Sequence, residues 1–384
     1  MLRKPFPVRF KTKNPFRLTF NLLYLTLILT FTSYFLAGCQ KRFIYEKPIF
    51  KETGHTPRSV VAADFNNDRF IDIAVANFSS NDGISIFYGD GNGNFSDKKR
   101  LNAGLDPFFI TYADLNLDGK PDIITANSGG NNISILYGKG GDNFAPPESI
   151  DTGRSPRSSV VSDFNGDNRP DLAVANSLDD SISIYLGKAD GGFIHKADLK
   201  TGIHPYSVCI GDFNRDGKPD LAVANVETNK LSIFYGDKDG RFNDGGTIDV
   251  GLGPSYIVAA DLDRDGIDDL VVANFNSNNV SVLKGMGKKG FSNAALIFSG
   301  IRPISIAVGD LNLDGYPDIV VANFGSNYIS ILPGRGDMTF ANAINIEVGS
   351  GPSSIAISDL NRDMRPDLIV TNSNSNNIAI LLSK

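Results

Sequence analysis

Seven nine-residue segments carry most of the chemistry this chain can offer, each with side-chain oxygens at positions 1, 3, 5 and 9. In chain order the first four sets are Asp64, Asn66, Asp68 and Asp72; Asp114, Asn116, Asp118 and Asp122; Asp163, Asn165, Asp167 and Asp171; and Asp212, Asn214, Asp216 and Asp220. The last three are Asp261, Asp263, Asp265 and Asp269; Asp310, Asn312, Asp314 and Asp318; and Asp359, Asn361, Asp363 and Asp367. Hard oxygens in a short curl suit Ca2+, which takes about six to eight oxygen ligands, and position 7 would add a backbone carbonyl. Asp and Asn also favour plain turns. Yet three carboxylates within nine residues, seven times over, would repel one another without a cation. Up to seven structural Ca2+ ions are therefore expected. A catalytic metal would keep an open position and a nearby base, and the segments show neither. Position 6 calls for a left-handed backbone, free for Gly119, Gly217, Gly266 and Gly315 and tolerated by Asn168. Arg69 and Met364 do not favour it, which predicts weaker sites in the first and last segments.

A repeating scaffold must hold these loops. The opening Asp residues are spaced by 50, 49, 49, 49, 49 and 49 residues, and such a period is the mark of a repeat architecture. Gly54, Gly104, Gly153, Gly202, Gly251, Gly300 and Gly349 lie ten residues before each loop. Pro57, Pro107, Pro156, Pro205, Pro254, Pro303 and Pro352 lie seven before. Asn77, Asn127, Asn176, Asn225, Asn274, Asn323 and Asn372 lie thirteen after. A Phe recurs near thirty after in six copies, at Phe95, Phe144, Phe193, Phe242, Phe291 and Phe340.

Each copy reads as four short strands. Strand a follows the Pro and strand b follows the acidic loop. Strand c alternates Ile with Ser, the pattern of a half-buried strand. A Gly-rich turn and the Phe lead to a more polar strand d. Four antiparallel strands in such a unit is the size of a propeller blade. The expected fold is all-β, a seven-bladed propeller. The last copy stops after strand c, while Phe43–Phe50 stands where a strand d belongs. The N-terminal strand should therefore close the last blade and leave no free edge.

An Asp-x-Asn/Asp-x-Asp-Gly-x-x-Asp loop followed by an apolar strand resembles the FG-GAP/VCBS repeat family, found in integrin α-subunit heads and many bacterial surface proteins. The likeness covers roughly residues 43–384. It implies a Ca2+ in each intact loop. Literal Phe-Gly and Gly-Ala-Pro signatures are absent, which places the chain nearer the VCBS-like branch. The first three ligand positions also resemble an EF-hand, but the fourth comes at position 9 and no helix follows.

Residues 1–38 hold six basic residues and no acid, and the apolar run Leu18–Leu36 leads into Leu36-Ala37-Gly38-Cys39. This reads as a secretory signal. Its ending resembles the bacterial lipobox, which implies acylation of Cys39 as the new N-terminus. The alternative is an uncleaved membrane helix, since 19 residues nearly span a bilayer. Either exports the chain and anchors it. Gln40 is not the Asp that commonly retains lipoproteins in the inner membrane, so the outer membrane is the expected destination where one exists. The organisation is then a signal peptide over 1–38, a lipid-anchored tether over 39–42 and a propeller over 43–384. Cleavage shifts the net charge from −6 to −12, with 31 basic against 43 acidic side chains.

That acidity argues against nucleic-acid binding, and two Cys exclude a disulfide framework. No Ser/His/Asp set, paired carboxylate or phosphate-cradling loop stands out, so an enzyme is not expected. Strand directions put the acidic loops and the c-to-d turns on one face, and the Gly-x-x-Pro corners and b-to-c loops on the other. The corner face carries His55, Asp106, Arg154, His204 and Arg302 as candidate ligand contacts. The expected function is a monomeric, calcium-stabilised binding or adhesion module at the cell envelope, with a protein or glycan ligand. The absence of Trp weakens the glycan case. The alternatives are a calcium-dependent polysaccharide-active enzyme and a scaffold for envelope proteins. Cys209, between Val208 and Ile210, is expected to be buried.

Overall fold

The computed structural model describes residues 43–79 and 83–384. The signal segment and Cys39 lie outside them. Phe43–Lys384 forms one compact unit. Its strands make seven four-stranded antiparallel sheets, a seven-bladed β-propeller. Blade one shows the plan: strand a Pro57–Ala63, strand b Asp72–Asn77, strand c Ile84–Phe87 and strand d Lys99–Leu101, paired in that order. Strand a of each blade packs beside strand a of the next, and Pro352–Ser358 of blade seven packs beside Pro57–Ala63. The seven inner strands thus surround a central axis.

No blade has a core of its own. Val320, Ile331, Val370 and Leu381 pack together between blades six and seven, and Ile73, Val75, Ile369 and Ile380 between blades seven and one. Five further clusters fill the other junctions. Strand b is buried along its whole length in every blade, because another blade covers each of its faces. This explains its nearly unbroken apolar sequence. Strand c departs from the half-buried expectation. Ser85, Ser134, Ser281 and Ser330 are all buried, and their hydroxyls accept hydrogen bonds from the Asn side chains that end strand b.

Ring closure follows the expected scheme. Ile49–Glu52 pairs with Asn377–Leu381 in the register Ile49↔Ile380 to Glu52↔Asn377. Tyr45 bridges Ser383, and the Lys384 amide donates to the Ile44 carbonyl at 2.8 Å. The regular strand begins at Ile49 rather than Phe43 because Pro48 has no amide to contribute to the ladder.

Candidate metal centres and ligand face

The acidic loops are curls held by their own side chains. In blade two, Asp114 accepts the Asp118 amide at 2.9 Å and the Gly119 amide at 2.8 Å. Asn116 Oδ1 accepts the Asp118 amide at 3.0 Å, and Asp118 Oδ1 accepts the Lys120 amide at 3.0 Å. The curl needs two left-handed residues per loop. Position 6 is one, with φ of 74° at Arg69, 82° at Gly119 and 64° at Met364. Position 4 is the other and was not anticipated; φ there is 57° at Leu117, 59° at Arg215 and 64° at Arg362.

Position 9 behaves differently. All seven of these carboxylates are buried, and each accepts amides on both oxygens. Asp122 Oδ2 takes the Leu115 amide at 2.9 Å and Oδ1 the Gly138 amide at 2.8 Å. Asp72, Asp171, Asp220, Asp269, Asp318 and Asp367 repeat the pattern. The side chain therefore ties its loop to the far end of strand c. Burial pushes the Asp72 carboxyl up to about 7, and Asp122, Asp220, Asp269 and Asp318 up to about 6.

The donor set fits a hard cation. Carboxylate oxygens of Asp261, Asp263 and Asp265 lie within 4.8 Å of one another. In blade four the position-3 acceptor, Asn214 Oδ1, is buried with no hydrogen-bond partner. Carboxylate oxygens that already accept an amide keep a second lone pair. Basic side chains share the loops: Lys120 reaches Asp118 at 3.1 Å, Arg169 reaches Asp167 at 3.3 Å and Lys284 reaches Asp265 at 2.9 Å. Lys284 also donates to Asp263. These pairs temper the repulsion expected of a bare loop.

The other repeated residues serve the same scaffold. The position-2 residues, from Phe65 to Leu360, are buried and enter the clusters between blades. Phe213 stacks edge-on against Phe291 at 5.3 Å. The Gly141 amide in the c-to-d turn of blade two donates to the Asn66 carbonyl in blade one at 2.8 Å. Each loop thus fastens two strands of its own blade, and the loop of blade one also holds a turn of blade two.

On the corner face, His55, Asp106, Arg154, His204 and Arg302 sit on five different blades and do not converge. Arg154 is committed to Asp179 at 2.6 Å, and His204 lies 3.8 Å from Glu227. Arg302 stacks over Phe275 at 5.6 Å. The Asn residues ending strand b are fully buried, so they are framework rather than ligand contacts. Leu105, Ile203, Leu252 and Ile301 are exposed at the corner tips.

A different ring was missed. In every blade the pairing of strands a and b slips at the residue after the corner Pro. This is a bulge, a device that re-aims a side chain. The seven bulged residues are Arg58, Phe108, Arg157, Tyr206, Ser255, Ile304 and Ser353, and all line one cavity of about 30 Å3 at the axis. A wider cavity of about 360 Å3 adjoins it, bounded by Tyr206, Val226, Phe275, Ile304 and Phe324. Burial holds the Arg58 guanidinium below its ordinary pKa.

The fold also assembles a Ser/His/Asp group that the sequence reading did not find. Ser183 Oγ donates to Asp198 Oδ1 at 2.6 Å, and His195 Nε2 lies 3.0 Å from the same oxygen. The carboxylate stands between the two, so His195 is not placed to take the Ser183 proton. That is not the order a nucleophile and its base require.

Seven four-stranded blades with an acidic a-to-b loop in each define a repeat propeller. Six overlapping stretches, residues 64–125, 114–174, 163–223, 212–272, 261–321 and 310–370, match the FG-GAP-like repeat, and the chain belongs to that family. No curated protein matches it. Among solved structures it is similar to BBS1N in complex with ARL6DN, with TM-score 0.62 and 14% identity over 89% of this chain and 98% of that one. It is also similar to an Agrocybe aegerita lectin described as recognising non-reducing terminal N-acetylglucosamine, with TM-score 0.53 and 20% identity over 76% and 80% of the two chains. A 6-phosphogluconolactonase-like protein of Bacteroides fragilis gives TM-score 0.59 and 18% identity over 78% and 86%. These likenesses concern the fold.

Proposed function

We propose that the protein is a calcium-stabilised binding module, anchored to the cell envelope through Cys39, that offers its corner face to a ligand. The observation that carries this reading is the contrast between the two faces. The acidic-loop face repeats the same residues seven times and spends them on the framework. The corner face carries one re-aimed residue per blade that keeps no single type around the ring (two Arg, two aromatic, two Ser and one Ile), around an axial cavity, with apolar tips outside it. A bound Ca2+ in each loop would offset the charge of positions 1, 3 and 5 and hold the curl closed.

Phe43 lies four positions after Cys39, a reach of at most about 14 Å. Because Ile44 pairs with Lys384 beyond the end of strand c, the chain enters on the acidic-loop face. A lipid on Cys39 would hold that face toward the membrane and leave the corners outward. The outer membrane fits Gln40 best where one exists.

The experiment is a protein and glycan array probed with the full chain in detergent, with Ca2+ and with chelator. Capture that depends on Ca2+ is the expected result, and an empty array in both conditions overturns the reading. A second reading, hydrolysis of a polysaccharide, has one observation in its favour: a polar cavity of about 560 Å3 beside His195, Asp198 and Tyr185. Turnover of an acidic glycan that His195→Ala abolishes would establish it.

A further inference from the structure

We infer that the axial mouth on the corner face binds a carboxylate carried next to an apolar or aromatic group. This rests on the binding-module reading and names the ligand class.

Among the described residues, Arg58 and Arg157 are the only charged side chains lining the small axial cavity, and no Asp or Glu lines it or its wider neighbour. Nε of each arginine is buried without a hydrogen-bond partner. Aromatic rings, not carboxylates, flank the two guanidiniums. Arg157 lies 4.3 Å from the Phe108 centroid and 5.4 Å from Tyr206. Arg58 lies 5.6 Å from Phe108 and from Phe324. Rings fix a guanidinium in place but leave its charge uncompensated, and two such cations side by side repel. An anion between them removes both costs.

The surrounding hydroxyls point to the same occupant. Ser59, Ser158, Ser207 and Ser354 each accept one amide from the neighbouring blade. Among the described residues none of the four has an acceptor for its own proton, so they are donors in reserve. Spare protons on four hydroxyls favour a ligand that presents acceptors.

Size selects the anion. A cavity holds about one water-sized group per 10–15 Å3, and about 30 Å3 is present. That accommodates the two oxygens of a carboxylate rather than the four of phosphate or sulfate. The adjoining cavity of about 360 Å3, walled by Phe275, Phe324, Ile304 and Val226, suits an apolar or aromatic body and offers little to a sugar. A free acid and the last residue of a protein chain share this chemistry.

The test is calorimetric titration of the full chain in detergent with N-acetyl-L-phenylalanine, its C-terminal amide, glucuronate and inorganic phosphate. The expected result is binding of the acid at least tenfold tighter than the other three. Arg157→Gln should weaken it at least tenfold at an unchanged melting temperature, with Arg157→Lys recovering it only in part. Phe275→Ala, which keeps both arginines, should weaken N-acetyl-L-phenylalanine and leave acetate unaffected, so the inference stays testable if the arginine variant unfolds. A peptide ending in Phe with a free carboxylate distinguishes the sources: tighter binding than the free acid identifies a protein C-terminus, and equal binding a small acid. Equal binding of acid and amide, or binding of glucuronate or phosphate as tight as the acid, overturns the inference. Array capture that Arg157→Gln leaves unchanged retains the binding module and overturns only this site.

Discussion

Gly251 lies against the side chain of Asn274: a methyl group on Gly251 would stand 2.5 Å from Nδ2. That nitrogen already donates to Asn279 and Ser281, each at 2.8 Å, and the Gly251 amide donates to the same Ser281 hydroxyl at 3.2 Å. The corner glycine and the buried asparagine, twenty-three residues apart in the sequence, recur together because one leaves room for the other.

Gly251→Ala is expected to destabilise the fold by about 1–3 kcal/mol, the cost of forcing an extra carbon into a packed site. Thermal or denaturant unfolding of the variant measures it. An unchanged midpoint would show that Asn274 swings away without loss.

Positions 5 and 9 of one loop should separate by their calcium dependence. Asp122→Ala orphans two buried amides, each costing about 1–3 kcal/mol, and should lower the melting temperature with or without Ca2+. Asp118→Ala removes a carboxylate near the surface, so in chelator it should cost only the exposed Lys120 contacts, and in Ca2+ it should fall clearly further behind the parent, where binding adds stability. Equal losses in both conditions for Asp118→Ala would argue against a cation in blade two.

Met364 holds a left-handed backbone with φ of 64° while 84% exposed. Met364→Gly keeps the amide that donates to Asp359 at 2.9 Å and relieves strain of about 1 kcal/mol. The gain is partly offset by the freer unfolded chain. A small rise in melting temperature is expected, together with tighter Ca2+ binding at blade seven. Arg69→Gly should behave alike in blade one.

Cys209 lies in the cluster between blades four and five, and burial pushes its thiol well above the ordinary range. Only the thiolate reacts with disulfide reagents, so the native protein should resist them until it unfolds. Reaction in native buffer at the rate of a free thiol would contradict the buried placement.

Much of this was legible in the sequence, for local reasons. Gly, Asn, Pro and Asp each fix a turn, and a turn repeated at one spacing discloses the blade, the face and the closing strand. The acidic loops were readable as oxygen sets, but not the double duty of position 9, which depends on the amide of Gly138 arriving from the far end of strand c. Ser85 looked like a solvent-facing residue because it alternates with Ile84 and Ile86, and only the pairing of strands b and c brings it against Asn77. Leu117 gave no hint of its left-handed backbone, since nothing in a leucine side chain asks for one. The axial ring escaped for another reason. Arg58, Phe108, Arg157, Tyr206, Ser255, Ile304 and Ser353 share a position but no one chemistry, so they leave no periodic signal, and a one-residue slip after a proline is invisible without the pairing.

The strand that completes blade seven comes from the start of the propeller, and this sets how the molecule bears load. Tension applied at residue 43 reaches the ring first through the bonds that join 44–52 to 377–384. Those bonds must shear or peel before force passes along the chain into blade one. The junction between the first and last blades is therefore the seam of the ring. A pull between residue 43 and the far face is resisted by a handful of backbone hydrogen bonds, and mechanical failure is expected to begin there.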